Sequence, residues 1–122
     1  GKLMKTEFIT VQKYFTVDEA IAHFRMTVNN KKNIHYIYAV NQDNVLCGVV
    51  SMKELLAAEG HERINKIMVK DIISVDTDLD QEDVAKIVED KDLLSVPVVD
   101  EEHRMAGVVH VDDILDVVQK ET

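Results

Sequence analysis

Cysteine is almost missing from this chain. Cys47 stands alone, which excludes an internal disulfide and any cysteine-rich zinc site. It lies in the apolar run Val45-Leu46-Cys47-Gly48-Val49-Val50, where a cysteine behaves as a small hydrophobe. One proline and four glycines leave no room for a long flexible linker. No apolar stretch approaches the 18 or so residues that a spanning helix needs, and the first residues carry no secretory leader pattern. The five histidines, His23, His35, His61, His103 and His110, never occur as a His-x-x-x-His pair, which argues against a zinc helix. No Gly-x-Ser-x-Gly turn, phosphate-binding glycine loop or Ser/His/Asp ordering appears, so nothing supports a catalytic set. Asp76-x-Asp78-x-Asp80 lacks the glycine and the distal glutamate of a calcium loop.

What the chain does have is apolar residues and acid. Hydrophobic residues make up 46% of its 122 positions, enough for a packed interior. The net charge of −9 is unevenly placed. Residues 1–71 hold ten Lys/Arg against eight Asp/Glu, whereas residues 72–122 hold four against fifteen, a net of −11. Such a field repels nucleic acid and anionic lipid and favours a cation or a basic surface.

The order of patterns repeats. Phe8 to Val11 reads as a strand, and Thr16-Val17-Asp18-Glu19 has the spacing of a capping box. Val17, Ala20, Ile21, Phe24 and Val28 then recur at helical intervals. Ile34 to Val40 is rich in strand formers, Asn41 to Asn44 is turn chemistry, Val45 to Val50 is a second strand, and Ser51 opens a short helix. From residue 72 the series returns: a strand at Ile72–Val75, a helix after Asp80, a strand at Ser95–Val99, a turn at Asp100–His103, a strand at Met105–His110 and a helix through Val118. Asn41 to Gly48 and Asp100 to Gly107 are both seven steps, and Gly48-Val49-Val50-Ser51 aligns with Gly107-Val108-Val109-His110. The expectation is an α/β protein of two β-α-β-β-α units with pseudo-twofold symmetry, each too small to bury its apolar face alone. The units are placed at 6–58 and 72–120, with 59–71 as connector.

This unit resembles the CBS domain, whose mark is Gly-hydrophobic-hydrophobic-Ser/Thr followed by an acid three positions after the Ser/Thr. Here that reads Gly48-x-x-Ser51-x-x-Glu54 and Gly107-x-x-His110-x-x-Asp113. The stretches 77–85, 96–102 and 110–117 are similar to the second CBS repeat of MgtE-type magnesium transporters, and Tyr36-Ile37-Tyr38-Ala39-Val40 is similar to the first. The resemblance implies a cytosolic regulatory module, not an enzyme, on the inner face of the cell membrane. It would form a homodimer, sense Mg2+ and ATP to gate transport, and work with membrane and N-terminal domains of a parent transporter. It would not itself enter the membrane or bind nucleic acid.

Two sets of side chains carry these expectations. Asp112, Asp113 and Asp116 fall three and four apart on one expected helix, a spacing that costs roughly 0.2–0.5 kcal/mol per like-charged pair. The helix dipole relieves the first turn but reaches Asp116 less. A divalent ion with oxygen ligands removes the repulsion. The resemblance adds Glu82 and Asp92, so the metal set is Glu82, Asp92, Asp113 and Asp116. For the nucleotide, the resemblance implies Ser51 and Glu54 near phosphate and ribose, Lys53 near phosphate, and Tyr36 stacked on the base. Glu54 is one methylene longer than the family's aspartate, and His110 replaces Ser/Thr in the second copy. By spacing alone, Ser51-x-x-Glu54 is equally a capping box. An adenine-nucleotide sensor belonging to another protein, or a dimerisation module without ligand, stand as alternatives.

Overall fold

A short polar sequence starts the longest described element of the first repeat. Thr16 accepts a hydrogen bond from the Glu19 backbone N–H at 3.1 Å, and Glu19 Oε1 accepts from the Thr16 N–H at 2.9 Å. This capping box opens helix α1, Val17–Thr27. The Thr16 backbone N–H first, then the Thr16 side chain and the nearby Arg63 charge, hold the Glu19 carboxyl below its ordinary pKa. The cap is therefore fully formed above the usual glutamate range and is lost only as pH falls through that lowered value.

The computed structural model describes residues 4–29, 31, 34–78, 84, 86–87 and 93–110. Strands β1 (Met4–Lys5) and β2 (Thr10–Gln12) precede α1. After it come β3 (Tyr36–Val40), β4 (Leu46–Ser51), α2 (Met52–Ala57), a one-turn helix α3 (Ile64–Ile67), β5 (Val75–Asp76), β6 (Ser95–Val99) and β7 (Met105–His110). The helix α3 lies inside the expected connector. The strands expected at Phe8–Val11 and Ile72–Val75 begin later than their apolar patterns do, because pairing with β3 and β6 starts only at Thr10 and Val75.

The chain divides into two units. One is Glu7–Ile72, and the other joins Gly1–Thr6 to Ile73–Thr122. In the first, β2 runs parallel to β3 and β3 antiparallel to β4. Val11, Ile37, Ala39 and Val50 meet Val17, Ala20, Leu55 and Ile64 in one buried cluster. In the second, the sheet order is β1-β7-β6-β5, and Val75, Val96, Val98 and Val109 pack with Val84. Val84, Lys86 and Ile87 are the described part of the helix expected after Asp80, and all three are helical. The last expected helix lies outside the described residues.

The repeat seen in sequence is reproduced bond for bond at the hairpin turns. Asn41 Oδ1 accepts from the N–H groups of Asp43 and Val45 at 2.9 and 3.0 Å. Asp100 Oδ1 accepts from Glu102 and Arg104, both at 2.9 Å. Each turn ends on a residue with φ of 66°, Asn44 and His103. In each hairpin the register then slips by one residue, at Ala39/Val40 and at Val98/Val99. Asparagine tolerates the left-handed region because its short side chain bonds locally, whereas histidine gains less there. His103→Gly is therefore expected to stabilise the protein by about 0.5–1 kcal/mol. Urea unfolding, with the midpoint raised and the slope unchanged, is the check.

Candidate functional site

The hairpin register brings the expected ligand residues together. Tyr36 stands directly opposite Ser51 across the β3–β4 pair. The Met52 N–H donates to the His35 carbonyl at 3.1 Å, which ties the first residue of α2 to the segment entering β3. Leu55 is fully buried in the core cluster and fixes the helix from below. Lys53 and Glu54, on the same turn, are left exposed. Tyr36, Ser51, Lys53 and Glu54 thus share one end of the first sheet.

Ser51 is the N-cap of α2, with extended backbone angles. Its hydroxyl accepts from the Glu54 N–H at 3.1 Å and donates to Glu54 Oε1 at 2.8 Å. The Ser51 N–H reaches the same Oε1 at 3.4 Å. The capping reading of this motif is therefore realised in the structure. It also leaves chemistry in hand. Both bonds end on Oε1, and Oε2 takes no hydrogen bond from a described residue. A diol presented to this helix start would meet an exposed carboxylate oxygen already held in position by the cap. A nearby ammonium, Lys53, supplies one positive charge on the same turn.

Sequence reasoning missed His35. Its carbonyl holds the helix start, and its ring packs edge-on to Tyr36 with centroids 6.5 Å apart. Only its place beside Tyr36 could have marked it. Tyr38, two residues along β3, has a different fate. It is 2% exposed, burial pushes its phenol well above the ordinary range, and its hydroxyl has no hydrogen-bond partner among the described residues.

The second copy presents a different surface at the matching place. Ser95 pairs with His110 as Tyr36 pairs with Ser51. Both are buried, and Ser95 Oγ lies 2.8 Å from His110 Nδ1. The residue that replaces Ser51 is thus engaged inside the unit. Elsewhere in this unit an open cleft of about 440 Å³ is lined by Asp76, Asp78, Asp100, Glu101 and His103 among others. Among the described residues no group of three or more His, Cys, Asp or Glu is arranged to hold a metal. The proposed metal residues Glu82, Asp92, Asp113 and Asp116 lie outside the described residues. No described helix is long and apolar enough to cross a membrane.

The sequence profile of the CBS domain matches residues 1–61 and again 64–120. The magnesium transporter MgtE of Thermus thermophilus is 40% identical over 121 residues, which is 99% of this chain and 27% of that protein. The crystal structure of the soluble part of a magnesium transporter superposes with a TM-score of 0.93 at 38% identity, covering 98% of this chain and 47% of the other. The cytosolic domain of the Mg2+ channel MgtE in complex with ATP gives 0.91 at 41% identity, covering 94% and 46%. The chain thus spans about a quarter of the transporter it matches.

Proposed function

From the premise that this chain belongs to the CBS domain family, with two repeats in tandem, we propose that it is the cytosolic regulatory module of a magnesium transporter, sensing Mg2+ and ATP to gate transport. The observation that carries the reading is the Ser51–Glu54 helix start, with Tyr36 opposite and Lys53 beside it, in a chain similar throughout to a transporter domain that binds ATP. The module binds and regulates, and does no chemistry of its own.

In this reading Glu54 holds the ribose of ATP, Ser51 and Lys53 meet its phosphates and Tyr36 stacks on its base. The metal set, Glu82, Asp92, Asp113 and Asp116, belongs to a half of the chain whose net charge is −11. When Mg2+ is abundant, these carboxylates share a divalent charge with acids of neighbouring domains, and a compact, closed state is favoured. When it is scarce, they repel and the assembly loosens. An ion shifts such an equilibrium only by binding one state better. The partners are a second copy of this chain and the membrane and N-terminal domains of the parent transporter. The repeats are assigned to 6–58 and 72–120 around a connector at 59–71.

The test is the melting temperature of metal-stripped protein across Mg2+ concentrations, with and without ATP. A ligand that binds only the native state adds about 2.7 kcal/mol at a hundredfold excess over Kd. Mg2+ is expected to raise the melting point where sodium at matched ionic strength does not, and ATP to raise it further. A rise with ATP alone would make the chain an adenine-nucleotide sensor. No rise with either would leave a dimerisation module.

A further inference from the structure

Each repeat is led in by a similar stretch of sequence. Met4-Lys5-Thr6-Glu7-Phe8-Ile9-Thr10 precedes the first, and Met68-Val69-Lys70-Asp71-Ile72-Ile73-Ser74 precedes the second. The last residues of the first stretch join the hairpin of their own repeat, Thr10 opposite Tyr38, but the leading residues of each stretch, Met4-Lys5 and Met68-Val69, pair elsewhere. Met4 and Lys5 form β1, antiparallel to β7, with Met4 opposite Val109 and Lys5 opposite Val108. Val69 pairs with Val49 on β4 through two backbone bonds, at 2.9 and 3.0 Å. Because Gly48 aligns with Gly107, Val49 matches Val108 and Val69 matches Lys5. The two lead-in segments are exchanged: each closes the edge strand of the other repeat.

The two straps are fastened differently. Met68 is tied down by its N–H to the Ile64 carbonyl at 2.9 Å, at the end of α3. A side chain at Gly48 would meet the Met68 side chain, whose Cγ lies 2.6 Å from the Cβ position, and a thioether chain can turn aside. Among the described residues β1 is held by a two-residue ladder, and the next four residues, Thr6–Ile9, are in no strand. A side chain at Gly107 would lie 2.6 Å from the Lys5 carbonyl oxygen, which is backbone and cannot rotate away. The glycine is what lets this strap sit.

We infer that the Met4–Lys5 strand is a releasable strap by which displacement of the chain at Met4 acts on β7 of the second repeat, and not first on the repeat that it precedes. β7 runs in sequence straight into the acids Asp112, Asp113 and Asp116, so the strap pairs with the strand that precedes the acid-rich sequence. β1 is the edge strand of its sheet, and a short edge ladder opens locally at far lower cost than the sheet behind it.

Amide hydrogen exchange followed by mass spectrometry tests this with Gly107→Ala, Gly48→Ala and the parent chain. Gly107→Ala is expected to speed exchange in peptides covering residues 3–6 and 105–110 by about tenfold or more, with residues 36–51 within about twofold. Gly48→Ala should leave β1 unchanged. Equal acceleration in residues 36–51, or none in residues 3–6, overturns the inference. If Gly107→Ala does not fold, Met4→Cys with Val109→Cys decides it. Directly opposed residues in an antiparallel pair lie within disulfide reach. The oxidised protein should slow exchange in β7 about tenfold against its reduced form. Failure to cross-link, or slowing confined to residues 36–51, overturns it equally.

Discussion

Replacing Glu54 with alanine is expected to weaken ATP binding by roughly 10- to 100-fold, the loss of one or two hydrogen bonds to a charged group. The reasoning rests on how the carboxylate is used. Oε1 is committed to Ser51, through the hydroxyl at 2.8 Å and the N–H at 3.4 Å, while Oε2 of this exposed residue takes no hydrogen bond from a described residue. The substitution therefore removes a ligand contact and loosens one end of a capping box. The second effect is small, about 1 kcal/mol, because the group is exposed and the Ser51 hydroxyl still accepts from residue 54's own N–H. Glu54→Asp separates the two roles. It restores the acid found in the family motif, and should keep most of the affinity while capping less well. Isothermal titration calorimetry beside urea unfolding reads both. An unchanged Kd in Glu54→Ala would remove this helix start from the binding site and leave Ser51–Glu54 as a cap alone.

Leu55→Ala should cost about 2–5 kcal/mol, the range for emptying a leucine site in a packed interior. Leu55 is completely buried among Ile37, Ala39, Val50 and Ile64, and it is the only buried residue of α2. Its neighbour Leu56 is 67% exposed, so Leu56→Ala should stay within about 0.5 kcal/mol. The pair is a test of helix orientation, since a rotation of α2 by one residue would exchange the two outcomes. Denaturant unfolding of both variants gives the answer. Because Leu55 also sets the height at which Ser51, Lys53 and Glu54 meet the end of β3, its loss should lower ATP affinity along with stability. A Leu55→Ala protein that is destabilised yet binds as before would show that the cap positions itself.

Local chemistry was enough to specify the parts that repeat. Thr16-x-x-Glu19 and Ser51-x-x-Glu54 need only their own three-residue spacing to form caps, and both do. Asn41 and Asp100 fold their turns with bonds reaching at most four residues onward, so the two hairpins match in bond pattern, φ angle and register slip. The seven-step spacing to Gly48 and Gly107 is the trace of that shared geometry in sequence. The family motifs and the α/β class were legible for the same reason.

What only the tertiary structure decided lies in long-range pairing and in burial. Two-residue strands such as β1 and β5 leave no periodicity to read, and nothing in Met4-Lys5 announces a partner more than a hundred residues away. Tyr36 and Tyr38 look alike in sequence. Packing leaves the first beside the helix start and encloses the second, phenol and all. Ser51 and His110 occupy the same motif position, yet one faces the end of the sheet and the other turns inward to Ser95. Sequence thus determined which residues can cap, turn and carry charge, because those preferences act over three or four positions. Which of them stay exposed was decided by the sheets, because exposure depends on neighbours that the chain supplies from far along its length.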